Sequence, residues 1–125
     1  MNRLLLRFSL PVLAAVAVVS SAWQQAAKPV GREATITGPV VDLACYFNKG
    51  DSGPKHVPCA EMCAKAGVPF GILGTDGKLY LPAKHGESAN AGLMQFLEQQ
   101  VTATGKVYPA GGANTIEIET IAKKS

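Results

Sequence analysis

The sequence predicts a mainly β domain with short helices, built from five strands with a small helical insertion after the first strand. Three observations support this. Stretches rich in β-branched and aromatic residues recur from Ala34 onward. Turn signals such as Asp76-Gly77 separate them. Only two segments, one after Pro58 and one around Leu93, read as helix.

The first strand is "ATITGPVVDLACYF", Ala34 to Phe47, with a bend or bulge at Gly38-Pro39. Within it Val41, Leu43, Cys45 and Phe47 alternate with Asp42, Ala44 and Tyr46, which puts Cys45 on or near the core-facing side. "NKGDSGPKH" has loop composition. Pro58 suits the first helical position, "CAEMCAKA" is made of good helix formers, and Gly67 suits the C-terminal cap. "PFGILG" and "KLYLP" are two strands joined through Thr75-Asp76-Gly77. "ANAGLMQFLEQQ" spaces Leu93, Phe96, Leu97 and Gln100 as a short amphipathic helix. "VTATGKVY" and "NTIEIETI" close the chain as a second hairpin, with Ile116 and Ile118 on one face and Glu117 and Glu119 on the other. Strand, strand, strand, helix, strand, strand is the chain order of a five-stranded OB-like barrel.

Ahead of the barrel, "MNRLLLRFSLPVLAAVAVVSSAW" has Arg3 and Arg7, an apolar run from Leu10 to Val19, and then small residues. That is the layout of a secretory signal peptide over 1–22, cut between Ala22 and Trp23. The apolar run is short for a spanning helix, so no membrane association is expected after cleavage. Residues 23–33 form a flexible lead-in, and 34–125 form the domain. Losing Arg3 and Arg7 takes the formal charge from +3 to about +1. A near-neutral domain with few aromatics on its strands lacks the footprint of a nucleic-acid binder. The expected destination is periplasmic or secreted, an oxidising space where thiols pair or bind metal.

The segments "GPVVDLACYF", "HVPCAEMCAKAGVPFGIL", "GKLYL" and "VTATGKVYPAGGANTIEIETI" resemble small secreted bacterial proteins with an OB-like fold and a Cys/His cluster. The resemblance spans about Gly38 to Ile121, and the arrangement of Cys45, His56, Cys59 and Cys63 is its more specific part. It implies a fold and a compartment, and it brings no reaction.

All three cysteines and one of the two histidines lie between Cys45 and Cys63. Covalent haem needs two cysteines two residues apart with histidine directly after, which this spacing does not supply. On a helix opened near Pro58, Cys59 and Cys63 sit one turn apart on one face. His56 lies just before that helix, and Cys45 arrives from the neighbouring strand. Three sulfurs and a nitrogen could enclose a zinc ion, or copper(I) with Met62 as an added thioether. One alternative is a disulfide from Cys45 to Cys59 or Cys63, stapling the insertion and leaving a spare thiol. Another is a redox-active thiol. Asp42 and Tyr46 read as a solvated strand face that could border the cluster. His85 reads as an exposed loop residue and Met94 as core filling. No catalytic set stands out. The functional expectation is therefore a non-enzymatic binding or accessory protein holding a transition metal, zinc or copper, with a periplasmic protein as a further partner.

Overall fold

The computed structural model describes residues 27–125. The signal peptide expected over 1–22, its cut before Trp23 and the start of the lead-in lie outside the described residues. β1 (Arg32–Asp42), β2 (Phe70–Leu73), β3 (Leu79–Pro82), β4 (Gln100–Ala110) and β5 (Ala113–Lys123) close into a barrel in the order β1-β2-β3-β5-β4. β3 and β5 pair in parallel and the other neighbours are antiparallel. This is the OB-like barrel that the chain order predicts.

β1 begins at Arg32, two residues earlier than expected, and it serves two neighbours in turn. Residues from Arg32 to Pro39 pair with β4, and those from Val40 to Asp42 pair with β2. The handover falls at Gly38-Pro39, the bend legible in the sequence. A side chain at Gly38 would collide with the Leu73 carbonyl, so only glycine lets the strands approach this closely. The core is made by Val40, Phe70, Ile72, Leu93, Val101 and Ile116, with Ala60 and Ala64 of the insertion packed on it. The Asp76-Gly77 turn forms as expected: Asp76 accepts hydrogen bonds from the Lys78 N–H and the Tyr80 hydroxyl, at 3.1 and 2.7 Å. Among the described residues no helix is long and apolar enough to cross a membrane.

Two expectations are corrected. The first strand does not run on to Phe47; it stops at Asp42, and the chain turns into a helix, α1 (Leu43–Lys49). Asp42 is the N-cap, its Oδ1 accepting from the N–H groups of Ala44 (2.8 Å) and Cys45 (3.1 Å). Lys49 lies in the last turn, and Gly50 takes the left-handed conformation at φ 74°. Good capping at both ends therefore outweighs the β-propensity of "LACYF". The alternation inferred there fails, and Phe47 is 67% exposed.

The second correction concerns "ANAGLMQFLEQQ", which forms turns and a single 3₁₀ turn at Met94–Phe96 instead of an amphipathic helix. Leu93 and Leu97 are still buried, while Met94 is 40% exposed and does not fill the core. The backbone leaves the helical region at Leu97, with ψ 127°, and Glu98 after it stands at φ 58°, a left-handed conformation that is costly for a residue with a side chain.

The insertion's second helix, α2 (Val57–Lys65), follows a 3₁₀ turn at Pro54–His56 and has Pro58 in its first turn. Gly67 ends it at φ 84°, and the Val68 N–H bonds back to the Cys63 carbonyl at 2.9 Å.

Candidate metal centre

α1 and α2 bring the cysteines together. The Asp42 cap starts α1 at the very end of β1, which places Cys45 one turn into the helix and leaves it 7% exposed. α2 carries Cys59 and Cys63 at i and i+4, hence on one face. The three sulfur atoms lie within 4.8 Å of one another, and those of Cys45 and Cys59 are 3.9 Å apart. Thiolates about 2.3 Å from a common ion would be separated by ~3.8 Å in a tetrahedral site and ~4.0 Å in a trigonal one. The cluster therefore has the dimensions of a metal site and could hold an ion. All three cysteines are free, so the alternative disulfide staple is not formed.

A second group overlaps the first. The donor atoms of Asp42, Cys45 and His56 also lie within 4.8 Å of one another, which makes Cys45 common to both. His56 ends the 3₁₀ turn that leads into α2. Its Nε2 is buried without a hydrogen-bond partner, and so is Asp42 Oδ2. Each such orphan ordinarily costs about 1–3 kcal/mol, and native folds rarely leave one without a ligand or water to satisfy it. Asp42 is fully buried, which corrects its reading as a solvated strand face.

Cys45 and Cys63 are not activated thiols. The neighbouring Asp42 carboxylate, with burial second, pushes Cys63 up to about 12, although no hydrogen bond between them is formed. Burial, followed by interactions with Cys59 and Asp42, pushes Cys45 up as well. A redox or nucleophilic cysteine needs the opposite shift, so neither residue has the character of a reactive thiolate. An incoming metal must displace these protons, which ties occupancy to a cation strong enough to compete with them.

Glu98 is a participant that sequence reasoning missed. It is 5% exposed. Its Oε2 accepts from the Gly53 N–H at 2.6 Å, and its Oε1 from the Asp42 N–H at 3.5 Å, the outer limit for a hydrogen bond. The carboxylate thus ties the loop leading to His56 to the end of β1. Glu98→Ala is expected to lower the unfolding free energy by about 1–3 kcal/mol in urea titrations. Lys106→Ala, which breaks only the exposed 3.9 Å pair with Glu33, should change it by less than about 0.5 kcal/mol. Equal stability for Glu98→Ala and the wild type would show that the tie carries no weight.

The remaining candidates stand apart. Met62 is 66% exposed, and His85 is exposed as expected. Tyr46 is half-buried and meets the Phe47 ring edge-on, with centroids 5.5 Å apart. Compared with protein-family models, curated proteins and solved structures, the chain shows no match.

Proposed function

We propose that this protein is an exported binding or accessory protein whose helical insertion holds a transition ion, zinc or copper. In this reading Cys45, Cys59 and Cys63 supply the sulfur ligands, and His56 adds a nitrogen donor beside Cys45. One observation carries it: three unpaired sulfurs from two different helices lie within 4.8 Å of one another. Thiolates at that spacing select soft or borderline ions, zinc and copper(I) foremost. The capped start of α1 and the α2 alanines packed on the barrel core preorganise the ligands. The signal-peptide layout supports a periplasmic or secreted location, where an ion on the thiols would keep them from pairing. A periplasmic protein that delivers or receives the ion is the natural partner. The donors converge on holding an ion, so no catalytic role is assigned.

Metal content and free-thiol count, measured on one tag-free sample, test this reading. About one equivalent or more of zinc or copper, with all three thiols reactive after chelation and unfolding, is the expected result. Less than about a tenth of an equivalent, with no uptake by the reduced form, overturns it.

A further inference from the structure

We propose that the cluster holds two cations: one among the sulfurs of Cys45, Cys59 and Cys63, the other among Asp42, Cys45 and His56, with the Cys45 thiolate shared. This rests on the reading of the cluster as a metal site and goes beyond it in number and ligands. Two trios of donors, each compact enough for one ion, meet at a single sulfur.

The second trio has its own signature. Asp42 is fully buried and divides its carboxylate between two tasks: Oδ1 caps α1, while Oδ2 has no partner. His56 belongs to the same trio, and its Nε2 is likewise buried and unpartnered. Capping explains one oxygen of Asp42 and leaves the other, like His56 Nε2, without a hydrogen-bond partner.

Charge points the same way. With metal bound, three thiolates and the Asp42 carboxylate place four negative charges in one buried neighbourhood, and the buried Glu98 lies directly behind. The ion pairs found among the described residues, Lys84–Glu87 and Lys106–Glu33, are both elsewhere and solvent-exposed. A single divalent ion would leave the four ligand charges half balanced, which is expensive in a buried site, whereas two divalent ions match those four charges. The trios also differ in character. The all-sulfur trio suits zinc or copper(I), while the oxygen, nitrogen and sulfur trio suits zinc.

The test is titration of the reduced, metal-free protein with zinc alone, with ions per chain counted by native mass spectrometry and elemental analysis. Two ions are expected in the wild type and one each in Asp42→Asn and His56→Gln. Asparagine keeps the Oδ1 acceptor that caps α1, and His56→Gln provides an independent arm should Asp42→Asn fold poorly. Loaded with cadmium-113, the wild type should show two resonances coupled through the shared sulfur. One ion in the wild type overturns the second position and leaves the three-sulfur site standing. No ion in the wild type removes both readings. Two ions retained by both variants would put the second ion elsewhere and overturn the assignment.

Discussion

Cys45→Ser is expected to weaken metal binding severely while leaving the barrel folded. Serine matches the shape of cysteine, and the N–H at this position still bonds to the Asp42 cap, so α1 keeps its start. What is lost is the only donor common to both ligand groups, and an alcohol does not release its proton at neutral pH to replace it. Removing an outer-shell partner typically costs 10–100-fold in metal affinity, so losing a shared direct ligand should cost at least ~100-fold. Competition against a chromophoric chelator measures this. Cys59→Ser and Cys63→Ser should be milder, because Asp42, Cys45 and His56 still face one another. If Cys45→Ser binds zinc within about threefold of the wild type, or less weakly than Cys59→Ser, the convergence on Cys45 has no functional meaning.

The barrel was readable because its signals are local. Alternating β-branched residues, the Asp76-Gly77 turn and the Gly38-Pro39 bend each act over a few positions, and each is realised. Two of the three sulfurs were readable for the same reason, since Cys59 and Cys63 need only a helix to share a face. Cys45 reaches them by a route the pattern concealed. "VVDLACYF" satisfies strand periodicity, yet Asp42 caps a helix there, and a seven-residue helix shows little periodicity of its own.

Asp42 and Glu98 were the least legible, because acidic residues usually face water and these two are buried by distant contacts. Glu98 bonds to residues 45 and 56 positions away, a separation that no local window spans. The helix expected from the spacing of Leu93, Phe96 and Leu97 ends at Leu97, where the backbone turns extended just before the left-handed Glu98.

Gly38→Ala should be the most damaging single-methyl change in the barrel. The residue lies opposite Val101 of β4 and two positions before Val40, where β1 passes to β2. Its missing side chain leaves room for the backbone carbonyl of Leu73, an atom that cannot rotate out of the way. The neighbouring Thr37 carbonyl accepts from the Thr75 N–H at 2.9 Å, which holds the β2–β3 turn against this same point. An added methyl must therefore push two strands apart and open the ladder that joins them. The expected loss is at least about 3 kcal/mol, a large part of the total for a domain of this size. That corresponds to a fall in Tm of roughly 10–20 °C. Gly92→Ala is the control, because a methyl there meets nothing within 4 Å, and it should stay within about 0.5 kcal/mol of the wild type. Thermal unfolding of both variants, metal-free and in chelator, makes the comparison. A Gly38→Ala protein that melts within about 2 °C of the wild type would mean β1 relaxes freely at this bend, contrary to the packing that fixes the end of the strand and Asp42 with it.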